Sequence, residues 1–140
     1  MTIIITGVAG FIGMAVARAI LQRGDAVIGL DSLNDYYDPR LKQARLAELA
    51  HFPKFHFTQI DLSERQQLQE FSGRLDIIRS KSGPVSIIHL AAQAGVRHSL
   101  VAPFDYVAAN LVGQMTMLEW ARHLPNLRHF VYASSSSVYG

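Results

Sequence analysis

Three glycines at intervals of three, Gly7, Gly10 and Gly13, separate a β-branched run, Thr2–Thr6, from a segment with apolar residues at helical spacing. That order demands a strand, a tight turn and a helix in immediate succession. Gly7 can adopt the backbone angles of such a turn. Gly10 leaves no Cβ to obstruct a ligand at the helix start, where free N–H groups and the positive dipole end favour an anion. Gly13 lets the helix lie close on the sheet. The pattern is weak alone and strong between a strand and a helix, where it predicts a seat for a pyrophosphate. The bland alternative is a tight turn without a ligand.

The same alternation continues along the chain. Further strands are predicted over Ala26–Leu30, Phe55–Ile60, Val85–Leu90 and His129–Ser134, several apolar at consecutive positions, as in a parallel sheet covered on both faces. Between them lie helical stripes. Ile12, Val16, Ala19 and Ile20 form the first, with Gly24 as its left-handed stop. Pro39–Ala50 reads as a helix with Leu41, Ala44, Arg45 and Leu49 less cleanly sided. Leu68, Phe71, Leu75 and Ile78 follow Ser63 and Gln66, which read as a capping box. Phe104, Val107, Leu111, Met115 and Leu118 lie between Pro103 and Pro125. Right-handed crossovers then give a doubly wound α/β (Rossmann) parallel sheet with helices on both faces and strand order 3-2-1-4-5. The 140 residues suit one domain. No repeat, low-complexity tract or linker interrupts them.

Asp31 follows the second strand, where a carboxylate accepts hydrogen bonds from the adenosine ribose hydroxyls and repels a 2′-phosphate. No Arg or Lys follows until Arg40, so nothing nearby in sequence favours NADP, and NAD is expected. Asp61, after the third strand, either contacts adenine or caps the next helix. The Tyr36-Tyr37 pair is expected to pack near the adenosine.

Composition excludes several other classes. Thirteen Lys+Arg against eleven Asp+Glu leave a net charge of +2, too balanced for an electrostatic nucleic-acid binder. With charge this close to zero, the basic pI of about 9.2 carries no weight. The absence of cysteine removes disulfides, thiolate metal sites and a cysteine nucleophile, and fits a reducing compartment. Six histidines lack metal-ligand spacing. Met1 to Leu21 carries one charge, Arg18, but lacks a basic start and is broken by glycines, unlike a secretory leader. No apolar run is long enough to span a bilayer. A cytoplasmic protein without membrane partners is expected.

Gly7-x-x-Gly10-x-x-Gly13, Asp31, Asp61-Leu62, Leu90-Ala91-Ala92, Asn110-x-x-Gly113 and Ser134 through Gly140 together resemble the extended short-chain dehydrogenase/reductase family over the whole chain. Residues 30–38 and 91–99 resemble its UDP-glucuronate 4-epimerases. The resemblance implies cofactor contacts from Gly7, Gly10, Phe11, Ile12, Gly13, Asp31, Asn34, Asp61, Leu62, Leu90, Ala91, Ala92 and Asn110. Of these, Asn110 ties its helix to the sheet near the active site. It implies a 4-keto sugar intermediate, with hydride held on NAD, and a catalytic Ser/Thr hydroxyl at Ser135. Ser136 is a second candidate, and Ser136 and Ser137 line the same strand end. Arg97 and Ser99 would meet the sugar, Arg97 being either a partner for a uronate carboxylate or a surface arginine.

The family's Tyr-x-x-x-Lys pair occurs nowhere in these residues, and Tyr139 matches the Val-Tyr-Gly element instead. The chain stops directly after its fifth strand, so it is expected to be the N-terminal part (1–140) of an NAD-binding domain. The catalytic pair and the substrate domain would lie outside it, and the piece alone is expected not to epimerise. A homodimer is expected at full length. The uncovered edge of the fifth strand is expected to make the piece itself associate. A non-catalytic NAD-binding or sensing module remains an alternative, as does a dehydratase or reductase. Ser136 and Ser137, where dehydratases carry acids, argue against a dehydratase.

Overall fold

The computed structural model describes residues 1–75 and 83–139. Ile78, the last residue of the predicted third stripe, lies outside them. Five strands, β1 (Thr2–Thr6), β2 (Ala26–Asp31), β3 (Phe55–Gln59), β4 (Val85–His89) and β5 (Leu127–Tyr132), form one parallel sheet in the order 3-2-1-4-5. The doubly wound α/β architecture is therefore as expected. The fifth strand starts and stops two residues earlier than its apolar pattern suggests, although the Ala133 N–H still donates to His89 O at 3.1 Å just past its end.

Strand periodicity divides the core in two. Ile3, Ile5 and Val27 face α1 (Phe11–Gln22) and α2 (Pro39–Leu49), where Ala17, Ile20, Leu21 and Leu49 complete one buried cluster. Ile4, Ile28, Leu30 and Ile87 face the other way, onto Leu68 and Phe71 of α3 (Arg65–Arg74) and onto Met117 and Ala121. Gly24 closes α1 with φ +91°, as its position predicted. Asp38 caps α2 by accepting from the Arg40 N–H at 2.9 Å, with Pro39 at the first helical position.

Helix faces differ most from the sequence reading. In α1 Ile12 and Ala19 are exposed, and Gly13 and Ala17 take the buried side. In α2 Leu41 and Ala44 are exposed, and Lys42 joins Leu49 inside. The capping box is absent. α3 starts at Arg65 without a side-chain cap, Ser63 bonds Asp61, and Gln66 donates to Glu70.

After the short α4 (Val96–Ser99), α5 (Pro103–Tyr106) runs through a π-helical stretch, Val107–Val112, into α6 (Gly113–Ala121). Here the predicted core stripe faces out: Phe104 is 83% exposed and Leu111 66%, with Val107, Met115 and Leu118 beside them. The buried side is Gly113, Thr116, Met117 and Ala121. A Cβ on Gly113 would stand 3.4 Å from that of Leu62, so the helix seats closely at Gly113, with Met117 as the large side chain it buries and Leu111, Met115 and Leu118 left outside. Among the described residues no helix is long and apolar enough to cross a membrane.

Candidate functional site

Crossovers from β1 and β4 leave on opposite sides of the sheet, and a cleft opens where their carboxyl ends part. Gly7, Gly10, Asp31, Asn34, Asp61, Leu62, Leu90, Ala91 and Ala92, all sequence candidates, line it together. The glycine turn forms its floor. Gly7 has φ +69°, and a Cβ there would meet Ala91 N at 2.9 Å. A Cβ on Gly13 would press into the Gly7 carbonyl and stand 3.0 Å from Val8 Cα. Its absence thus serves contact between helix and turn more directly than contact with the sheet. Gly10 is the N-cap of α1 and offers no side chain to its first turn, whose leading N–H groups have no intrahelical acceptor. These donors and the helix dipole suit a diphosphate. Phe11 and Ile12 belong to that turn with exposed side chains.

Asp31 is buried and fixed from two sides. Its Oδ2 accepts from the Ala9 N–H at 3.0 Å and its Oδ1 from the Leu33 N–H at 2.9 Å. The remaining lone pairs can accept from a vicinal diol. Lys42 corrects the sequence reading that no cation is placed beside this carboxylate. Its Nζ donates to Asn34 O at 2.8 Å and Asn34 Oδ1 at 2.6 Å, and lies 3.9 Å from Asp31 Oδ1. A legible signal existed, because Lys42, Arg45, Leu46 and Leu49 share one helical face by spacing. Arg45 in fact donates to Ala9 O at 3.1 Å, bracing the glycine turn from behind.

On the facing wall Asp61 does not cap α3. Its Oδ1 accepts from the Ser63 N–H at 2.9 Å and hydroxyl at 2.7 Å, and so shapes the turn before the helix. The Asn110 amide grips the Gln93 backbone twice, accepting from its N–H at 2.8 Å and donating to its carbonyl at 3.0 Å. Asn110 therefore stands behind the wall and holds it, on the π-helical turn that no local sequence signal announced. Asn34 Nδ2 donates to Gln93 Oε1 at 3.3 Å, joining the two walls. Tyr36 and Tyr37 also line the cleft, with Tyr36 against Gly95 and its phenol pKa raised by burial.

Thr6 and His89, missed from sequence, tie β1 to β4 at the cleft. Thr6 Oγ1 accepts from the Leu90 and Ala91 N–H groups, both at 3.1 Å. Its own proton then goes to His89 Nδ1 at 2.6 Å, which assigns the imidazole the Nε2–H tautomer. Burial lowers the His89 pKa, opposed by a hydrogen bond with Gln114.

Other candidates lie apart from this cluster. Arg97 is exposed on α4, and the Ser99 hydroxyl donates back to Val96 O at 2.6 Å. Ser135 follows β5 and Ser136 opens a 3-10 turn over Ser136–Tyr139, so neither lies on the strand. Among the described residues no group of three or more His, Asp or Glu could hold a metal.

A model of the NAD dependent epimerase/dehydratase family matches residues 3–140. The chain belongs to that family. Among its relatives, the UDP-glucuronate 4-epimerase of Thermodesulfobacterium geofontis is 43% identical over 97% of this chain and 40% of its own length. UDP-glucuronate 4-epimerase 4 of Arabidopsis thaliana is 41% identical over 99% of this chain and 30% of its own. The solved UDP-glucuronic acid 4-epimerase of Bacillus cereus, in complex with UDP-glucuronic acid and NAD, superposes with a TM-score of 0.82. It is 32% identical, across 100% of this chain and 42% of that one. The chain thus spans less than half the length of these family members.

Proposed function

We propose that this chain is the cofactor-binding portion of an NAD-dependent nucleotide-sugar epimerase acting at C4 of a UDP-uronic acid such as UDP-glucuronate. The observation that carries the reading is the buried Asp31 carboxylate, locked by the Ala9 N–H onto the same turn whose helix offers free amides. A pyrophosphate on those amides puts its adenosine ribose beside Asp31, with the adenine toward Asp61 and Leu62. NAD held there would supply a reversible hydride acceptor for the sugar C4.

The chain's own residues bind and orient. Gly7 and Gly10 admit the pyrophosphate, Asp31 accepts from the ribose, and Asn110 steadies the wall at Leu90, Ala91 and Ala92 through Gln93. Ser135 supplies a hydroxyl toward the sugar oxygen, with Ser136 beside it. Arg97 and Ser99 extend toward the uronate end. The Tyr-x-x-x-Lys pair and the uridine site are supplied from beyond these residues, and the working compartment is the cytoplasm.

Calorimetric titration of the 140-residue chain with NAD and NADP tests this. NAD binds, NADP binds more weakly, and Asp31→Ala lowers NAD affinity by roughly tenfold or more, as for hydrogen bonds to a charged group. A folded chain that takes up neither dinucleotide would refute the reading.

The full protein is a homodimer in this proposal, joined through the outward face of α5 and α6. Phe104, Leu111, Met115 and Leu118 present there the kind of contiguous apolar surface that marks an interface. Light scattering of the chain is expected to show association that Leu111→Asp abolishes. Association that survives the substitution would point to the β5 edge and overturn the assignment.

A further inference from the structure

Resting on the proposed contact of Arg97 with the uronate, we propose that Tyr36 and Tyr106 are positioning residues for the sugar, clamping the turn that presents Arg97. That turn is weakly held by its own packing. α4 has four residues, none of them buried, and a single helical turn is unfavourable by itself. Its placement therefore falls to contacts from outside, and two phenols supply them. Tyr106 ends α5, and its hydroxyl reaches Ala94 O at 2.8 Å and Gly95 O as well. These carbonyls take its one proton, so in the hydrogen bond between the two phenols Tyr36 is the donor. The Tyr36 hydroxyl fills the place where a Cβ on Gly95 would stand, with Tyr106 Oη 3.5 Å from that point. Gly95 also has φ +99°, so conformation and space both reserve the position for glycine.

The Tyr36 ring also lies against His98, with centroids 4.7 Å apart, and the His98 N–H donates to Gly95 O at 3.0 Å. Tyr36 thus touches the turn at Gly95 and at His98, and Arg97 falls between the two contacts. Tyr36 itself is rooted on the other wall of the cleft. Asn34, two residues earlier, accepts twice from the buried Lys42 and donates to Gln93 Oε1 at 3.3 Å. The clamp therefore carries the position of the cofactor wall across the cleft to Arg97. Removing one phenol hydroxyl leaves the Arg97 guanidinium chemically intact and loosens its aim.

The test is steady-state kinetics of the full-length, NAD-loaded protein on UDP-glucuronate, for the parent, Tyr36→Phe, Tyr106→Phe, Arg97→Ala and the Tyr36→Phe/Arg97→Ala double variant. Circular dichroism checks that each folds, and Tyr106→Phe takes the place of Tyr36→Phe in the double variant if the latter does not. Each Phe variant is expected to raise KM about fivefold, the scale of one hydrogen bond, with a smaller fall in kcat. Arg97→Ala should raise KM by about tenfold or more, as for hydrogen bonds to a charged group. Tyr36→Phe should then add less than about twofold on top of it, because its effect passes through Arg97. Phe variants with the parent's KM, or effects that multiply in the double variant, would overturn the clamp. An unchanged KM in Arg97→Ala, or no turnover of UDP-glucuronate by the parent, would instead overturn the assignment of the site on which the clamp rests.

Discussion

Replacing Gly13 by alanine sets two known effects against each other, and the structure decides which wins. In an ordinary helix interior, alanine in place of glycine stabilises by roughly 0.5–1 kcal/mol through backbone entropy. At Gly13 the new Cβ would press on the Gly7 carbonyl oxygen, 2.8 Å from Gly7 C and 3.0 Å from Val8 Cα. Ordinary contact begins near 3.4 Å, so helix and turn must separate by about half an ångström or more. All three obstacles are backbone, and the Gly7 N–H is held by Leu30 O at 2.8 Å, so the turn has little room to yield. Overpacking of this kind costs about 1–3 kcal/mol, and rigid neighbours put this site at the upper end. The net expectation is a loss of about 1–2 kcal/mol, a fall in Tm of several degrees for a domain of this size. Gly73, in the last turn of α3, has nothing within 4 Å of its would-be Cβ. Gly73→Ala should therefore stabilise by up to about 1 kcal/mol. Urea unfolding of both variants beside the parent reads the two signs directly. A Gly13→Ala chain as stable as the parent would refute the close-approach argument, whatever Gly73→Ala does.

Two more outcomes follow from the walls of the cleft. Asn110→Ala strips the Gln93 N–H and carbonyl of their partners and should cost about 1–3 kcal/mol in urea unfolding, so an unchanged midpoint would show that the clamp contributes nothing. His89 titrates below its ordinary 6.5 in the folded chain because burial penalises the imidazolium, so below that pH the unfolded state binds the extra proton. Its contribution to stability is complete above pH 6.5 and is lost as the pH falls toward the lowered folded value. Tm measured downward from pH 8 should decline through that window, and a flat profile would contradict the buried neutral imidazole.

What the sequence determined by itself was the architecture and the half of the site built from backbone. Strand–helix alternation implies parallel strands with right-handed crossovers, and the glycine turn after the first strand favours the order 3-2-1-4-5 among the doubly wound sheets. Gly7, Gly10 and Gly13 are legible because a positive φ or a close backbone approach restricts the residue type at the position itself. Asp31 is legible because its place at a strand end fixes where it points. Tertiary structure alone decided which helix faces are buried. Periodicity reports that a helix has an apolar face, and in α5 and α6 that face looks outward because the helix settles on Leu62 at Gly113 and buries Met117. It also decided the fate of long or forked side chains. Lys42 reaches Asn34 and Asp31, and Asn110 reaches Gln93, through partners many residues away. Spacing can place Lys42 on the buried face of α2, but which groups it and Asn110 reach is decided only once separate segments have been brought together.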